Sequence, residues 1–440
     1  MDLSALFTST SYIGFGLFAV VCFGCYRLMT QKKYLILFVW PIVIYFCGPL
    51  FTAMFADAPV LGNFVFPEYT LAETLMMFIY FVSLIAADIL FDVSGVIKSS
   101  LSHPTIRRLA HSMAFLPMFV VTVVLTIVLQ IKLLHDAGSV LSGTYAMLGV
   151  DEGLVPYWGF LAGLYEVIFL LFILFILGDG YGMKLRVFVI SAYCATGLLR
   201  VTGGTRLILV KELAFVVILF FLRGQLKRRQ LTLAVGAIVT LGSVIGLLRA
   251  GEVDEEAILG PVFGLVMESA LDSLTLNIAY KLQDTGYVAD NVDNVKTVEY
   301  LLLSSIPSFA RFSITPAELK DMSPYNAAPQ YGFSTYSPVG GMSGFATLCY
   351  MCSYPLLSSC VLAFALGAIC RYAPAGNLKR ITVLVFLLNS IHFWRDPVDI
   401  GVKQVVQDDL CALVLMAVGS MYLQPRQIGK NLIERKSVPQ

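Results

Sequence analysis

Apolar runs of roughly 17–25 residues, each long enough to cross a bilayer as a helix, recur along this chain and leave it few folds to choose from. In hydrocarbon no water satisfies backbone N–H and C=O groups, so a spanning segment must close its own hydrogen bonds. Eleven such stretches are predicted, at about 10–28, 34–54, 70–91, 113–131, 156–178, 184–200, 206–222, 231–248, 342–370, 381–394 and 408–424. The expected fold is all-α: a polytopic transmembrane helical bundle of about eleven spans, forming a single integral membrane domain over 1–440. Composition excludes a soluble globule. Hydrophobic residues make up 58% of the chain and charged residues 13%, against about 25% charged in an average domain. No basic n-region precedes Ser11–Leu28, so this stretch is expected to stay as a first span and not to be cleaved as a signal peptide. No internal repeat or low-complexity tract occurs.

Placement of charge gives the orientation. The connections after the first, third, fifth, seventh and ninth stretches hold Arg27, Lys32, Lys33, Lys98, Arg107, Arg108, Lys184, Arg186, Arg223, Lys227, Arg228, Arg229, Arg371, Lys379 and Arg380. The tail adds Arg426, Lys430, Arg435 and Lys436. These alternate connections are therefore expected on the cytoplasmic side, with the N-terminus outside and the C-terminus inside. The outer connections carry acid, for example Asp57, Glu68, Asp151 and Glu152. Residues 249–341 form the largest outer segment, a periplasmic loop too long for a mere connection. Its first part, Ala257–Tyr280, is apolar enough to lie in the interface or dip into the bundle.

Several charges break the pattern. Leu198–Leu222, LLRVTGGTRLILVKELAFVVILFFL, reads as two spans joined by a Gly203–Gly204 turn, with Lys211 and Glu212 inside the apolar run. Such charges are costly in lipid and should face a protein-lined cavity. Arg200, Arg206 and Arg249 fall at outer ends of spans, and Arg311 lies in the large loop. Guanidinium groups suit phosphate oxygens in bidentate geometry; snorkelling to lipid phosphates is the bland alternative for any one of them. Glu166, mid-span, is expected to pair with Lys211 or another buried cation, in a structural role in an enzyme and as a proton-coupling site in a transporter.

The last outer connection, IHFWRDPVDIGVKQVVQDD, sets His392, Arg395 and Asp396 within four residues. Either His392 or Asp396 could act as a base if tuned; an interfacial His–Trp anchor with a local ion pair explains them equally well. Tyr325, Tyr331, Phe333 and Tyr336 could stack on sugars, although tyrosines are also common at membrane interfaces. The Cys22/Cys25 and Cys349/Cys352 pairs lie in apolar runs with no further ligand nearby, which disfavours zinc. Walker, Rossmann, HExxH and G-x-S-x-G patterns are absent, so nucleotide-driven or protease chemistry has no support.

Three local features resemble the Wzy-type O-antigen polymerases of bacterial inner membranes. They are the Gly204–Thr205–Arg206 entry into a span, the Gly-rich stretch QYGFSTYSPVGGMSGF at 330–345 running into the next span, and Arg395–Asp396 in the last outer connection. The layout of many spans with one sizeable late external loop agrees along nearly the whole chain. The resemblance implies a metal-independent glycosyltransferase, without cofactor, that joins undecaprenyl-diphosphate-linked oligosaccharide repeat units at the periplasmic face of the inner membrane. On that basis Arg206, Arg249, His392, Arg395 and Asp396 are candidate catalytic residues. Arg200, Lys211, Arg311, Tyr331 and Tyr336 are candidate substrate-binding residues. Expected partners are the lipid-linked oligosaccharide and membrane lipids, with a polysaccharide chain-length regulator as a further candidate and no nucleic acid. The alternatives are an O-antigen ligase, which passes the same donor to lipid A-core, and a flippase or transporter, for which charges spread along several spans and short loops would be expected.

Overall fold

The computed structural model describes residues 9–46, 69–136, 155–178, 180–202, 206–250, 276–286, 355–373, 376–395 and 404–423, with isolated positions between 295 and 306. Among these residues every regular element is a helix. In chain order they are α1 (Ser9–Thr30), α2 (Ile36–Tyr45), α3 (Thr70–Phe91), α4 (Val93–Leu101), α5 (Pro104–Ala110), α6 (Phe115–Asp136) and α7 (Val155–Leu177). Then follow α8 (Met183–Thr202), α9 (Arg206–Leu222), α10 (Arg228–Ala250), α11 (Pro355–Tyr372), α12 (Asn377–Arg395), a π-helical segment Gln404–Leu410, and α13 (Cys411–Leu423).

Four of these helices contain stretches long and apolar enough to cross a membrane: Tyr12–Thr30, Thr70–Phe91, Phe115–Leu133 and Phe160–Leu177. The chain thus has the helices of a membrane protein. The two faces of α6 agree. Val121, Val124, Val128 and Ile131, at helical spacing, are exposed, whereas the opposite face buries Phe119, Thr122, Val123, Thr126 and Gln130. An apolar face turned outward and a partly polar face turned inward is the arrangement lipid favours.

The helices differ from the sequence expectation in three places. The stretch at 381–394, too short for a comfortable crossing, is α12 and begins earlier, at Asn377. Of the stretch predicted at 342–370, α11 covers Pro355 onward, and 342–354 lies outside the described residues. Residues 92–110, expected as a plain connection, fold into α4 and α5. Asp92 makes this possible: in the left-handed conformation (φ 51°) it ends α3, and its carboxylate accepts a hydrogen bond from Gly95 N at 3.2 Å to cap α4. His103 caps α5, accepting from Thr105 N, with Pro104 at its first position, where the missing N–H costs nothing. Lastly, the final stretch opens with the π-helical turn.

Asp88, one turn earlier, fastens this corner to the α1–α2 turn. It accepts from Ser94 N at 2.5 Å and from Lys33 Nζ at 3.3 Å, while Ser94 Oγ accepts from Leu35 N at 3.2 Å. Thr105 Oγ1 donates to Asn377 Oδ1 at 2.6 Å, and Arg380, near the start of α12, reaches Ser99 and Ser100. Tyr181, between α7 and α8, donates to Ala110 O at 2.5 Å. Burial pushes its phenol up to about 12, so it stays a donor at any working pH.

These contacts fix one end of the bundle, here called the basic end. It gathers the 31–35 turn, α4, α5, the C-termini of α3, α7 and α9, and the N-termini of α8, α10 and α12. With lengths of about 26 and 29 Å for α9 and α12 at 1.5 Å per residue, Arg206 and Arg395 must lie at the far end.

The most extensive packing joins α3 to α11. Gly367 allows it: a Cβ there would stand 2.6 Å from Phe91 Cδ2 and 3.0 Å from Ala87 Cβ. Gly367→Leu should therefore lower stability by about 1–3 kcal/mol through overpacking, read as a fall in the thermal midpoint of detergent-purified protein.

Candidate functional site

The polar centre of the molecule lies between α7, α8 and α9. The last turn of α8 lies against the first half of α9. Arg200 is 4% exposed, Glu166 5%, Glu212 3% and Lys211 0%. At that depth charges must be answered by other protein groups. Arg200 Nη2 donates to Glu166 Oε1 at 2.9 Å, and Nη1 donates to Glu212 Oε1. Tyr193 OH donates to Glu212 Oε2 at 2.9 Å. The Arg200 guanidinium also lies 4.9 Å from the centroid of the Tyr165 ring, and Tyr165 OH donates to Gln130 Oε1 of α6 at 3.3 Å. Phe172 stacks on Tyr193 with ring centroids 3.9 Å apart and closes the cluster on its apolar side. Lys211 Nζ bonds to Tyr45 OH of α2 and sits 4.4 Å from that ring's centroid.

Two cations and two carboxylates thus balance within three consecutive helices. The buried cation expected for Glu166 is Arg200. Arg200 and Lys211, expected to face an anionic substrate, are turned inward and engaged by the protein's own carboxylates and phenol. Sequence reading missed Tyr45, Gln130, Tyr165 and Tyr193. A signal existed for one of them: Tyr193 and Arg200 are spaced i, i+7, two turns apart on one helical face.

A second polar seam runs between α7, α12 and the π-helical segment. Gly163 leaves room for Asp408, whose Oδ1 would lie 2.6 Å from a Cβ at that position. Asn389 Nδ2 donates to the buried Asp409 Oδ2 at 2.6 Å. These two aspartates were not singled out from the sequence. A third contact covers the far end of α3. Asn277 Nδ2 donates to Glu73 Oε2 at 3.4 Å, Tyr69 OH donates to Asp284 Oδ2 at 2.7 Å, and Leu276, Ile278, Ala279 and Leu282 are buried. Residues 276–284 therefore dock against the bundle, while 257–275, the greater part of the stretch expected to lie in the interface or dip into the bundle, lies outside the described residues.

The remaining candidates are placed by backbone alone. Arg206 is the first residue of α9, Arg249 the penultimate residue of α10, and His392 and Arg395 lie in the last turn of α12. All four stand at the far end of the bundle, as does Arg200. Asp396, Arg311, Tyr331 and Tyr336 lie outside the described residues. Among the described residues no His, Cys, Asp and Glu side chains gather as a metal-ligand set. No family model matches the chain, and neither a curated protein nor a solved structure matches it.

Proposed function

We propose that this chain is an inner-membrane glycosyltransferase of the Wzy type, with eleven spans, a periplasmic N-terminus and a cytoplasmic C-terminus. Its substrates are undecaprenyl-diphosphate-linked oligosaccharides, serving as both donor and acceptor at the periplasmic face. The observation that carries the reading is the placement of Arg206, Arg249, His392 and Arg395 at one end of the bundle, opposite the end where the basic connections meet. In this reading the far end is periplasmic, and the segment 249–341 lies over it.

The reaction breaks the bond between the donor's anomeric carbon and its diphosphate oxygen. The acceptor hydroxyl oxygen forms the new bond to that carbon, its proton passes to His392 or Asp396, and the lipid diphosphate leaves as an anion. Arg206 and Arg249, joined by Arg311, stabilise the charge that grows on the leaving group, the largest single contribution open to such a site. Arg395 stands beside the base, and Tyr331 and Tyr336 stack on the sugars. Arg200 and Lys211 approach the substrate only through the frame they brace, because their charges are answered inside the bundle.

The test is reconstitution in nanodiscs with lipid-linked repeat units of the source strain, without nucleotide or metal. A product ladder spaced by one repeat unit supports a polymerase. Transfer only after lipid A-core is added makes it a ligase, and neither product, from folded protein and verified substrate, removes the reading. A second reading, a proton-coupled transporter of lipid-linked oligosaccharide, is favoured by one observation: the carboxylate of Glu166 buried in mid-helix. Glu166→Gln decides between them, since the ladder should persist in a polymerase whereas proton-driven substrate movement should stop in a transporter.

A further inference from the structure

The seam between α7, α12 and the π-helical segment is short of donors. Asn389 Nδ2 of α12 donates twice, to Val385 O at 3.0 Å and to Asp409 Oδ2 at 2.6 Å. Both amide hydrogens are thereby used. This fixes which end of the amide is oxygen, because a turned amide would set its oxygen against two acceptors. Asn389 Oδ1, on the same planar group, is buried and takes no hydrogen bond among the described residues. Gln404 Oε1 is in the same position: the residue is 8% exposed, and its oxygen is buried without a donor among the described residues. Gln404 opens the π-helical segment Gln404–Leu410, whose backbone closes from residue i to i+5. That closure stacks Gln404 on Asp409, itself 2% exposed. Two bare amide oxygens therefore flank one buried carboxylate. Such atoms cost stability, and where native proteins carry them an ordered water or an ion is a common answer. Depth sharpens the need. Asn389 stands six residues before the end of α12, about 9 Å along its axis, where a bilayer supplies no bulk water. A water would bring two hydrogens. A cation would answer the same oxygens and also lie favourably in the field of the carboxylate. The argument holds whatever other groups Asp409 touches, since the oxygens that lack donors belong to the amides.

We propose that the seam binds one alkali-metal cation, with Asn389 Oδ1 and Gln404 Oε1 as ligands beside the Asp409 carboxylate. A donor set made only of oxygen suits a hard ion. Two neutral amides around one carboxylate suit a single positive charge, whereas calcium would ask for about 6–8 oxygens. Asp408, next in the chain, faces α7 where Gly163 lacks a Cβ, with Oδ1 2.6 Å from that position. The ion therefore fastens α12 to a segment already seated on α7. It is a structural partner of the bundle, takes no part in the transfer proposed above and does not depend on that reading.

The experiment follows the thermal midpoint of the full chain in detergent micelles, in sodium, potassium and choline chloride at equal ionic strength, with a chelator to strip divalent ions. The native midpoint should be higher in one or both alkali salts than in choline. It should climb with concentration, the ratio of folded to unfolded chain rising about tenfold for each tenfold rise in cation above its dissociation constant. Gln404→Leu separates an ion from an empty seam. With an ion as ligand, the variant loses the alkali-dependent gain and melts alike in all three salts. Without one, the substitution merely removes a bare buried oxygen, and the variant should melt at or above the native midpoint in every salt. Gln404→Glu sets a second carboxylate at the site, so its midpoint should fall below native in choline and recover in the alkali salt. Three results overturn the proposal: a native midpoint equal in the three salts, which leaves the oxygens to water; a Gln404→Leu variant that keeps the full native response, which puts the ion elsewhere; and a Gln404→Glu variant that melts as low in alkali salt as in choline.

Discussion

Replacing Arg200 with methionine should destabilise the protein by about 3–5 kcal/mol, the cost of stranding buried charge when one partner of an ion pair is removed. Two carboxylates are stranded here, Glu166 and Glu212, both almost wholly buried. They would have to protonate, admit water or pull their helices apart. The expected result is a large drop in the thermal midpoint, with loss of monodisperse protein in size-exclusion chromatography. Adding Glu166→Gln and Glu212→Gln to Arg200→Met should recover most of that loss. Neutral amides remove the stranded charge, and the amide oxygen introduced by Glu212→Gln would still offer Tyr193 an acceptor where the Glu212 carboxylate now accepts at 2.9 Å. A single Arg200→Met variant as stable as the native chain would show that the three-helix ion cluster does not form.

The second large effect concerns activity. Arg206→Ala should reduce polymerisation by about 10²–10³-fold, the scale on which one preorganised charge-stabilising donor is missed, while leaving the thermal midpoint close to native. The contrast with Arg200 is the point of the pair. Arg200 lies only six residues earlier in the chain, yet its variant should fail by unfolding, whereas the Arg206 variant should fold and not turn over. Product ladders from the two variants, normalised to folded protein, separate the roles. Polymer of normal amount from folded Arg206→Ala would remove that residue from the site.

Much of the helical layout was legible because apolar run length is read directly: α3 occupies the predicted 70–91, and α9 the predicted 206–222. The corner of α4 and α5 was not legible. It depends on one left-handed aspartate and on caps whose partners only the fold supplies, such as Asn377 for Thr105. The ion cluster was half legible. The Gly203–Gly204 turn expected from the sequence sets Arg200 opposite about residue 208, and Glu212 lies one turn further, about 6 Å along the axis, within reach of an extended arginine. That Glu166 joins from α7 could not be read, because the register of a helix against a non-adjacent hairpin is set by packing. The basic end shows the same division. The positive-inside pattern identified Lys98, Arg107 and Arg223 as loop charges, but only their convergence from separate elements brings them around one cavity.

The ion cluster also bears on how such a chain is made. In the proposed topology α7 is synthesised first and carries Glu166 towards the bilayer. Its partner Arg200 follows 34 residues later, and Glu212 a further 12. A charge at the middle of a lone span costs about 2.5–3.5 kcal/mol on entering lipid, a cost that falls on α7 with Glu166 and on α9 with Lys211 and Glu212, whereas Arg200 stands in the last turn of α8. Tyr45, the partner of Lys211, is by contrast already made. Biogenesis should therefore hold α7 at the insertion machinery until α8 and α9 arrive, and hand the three helices to the membrane as one preassembled unit.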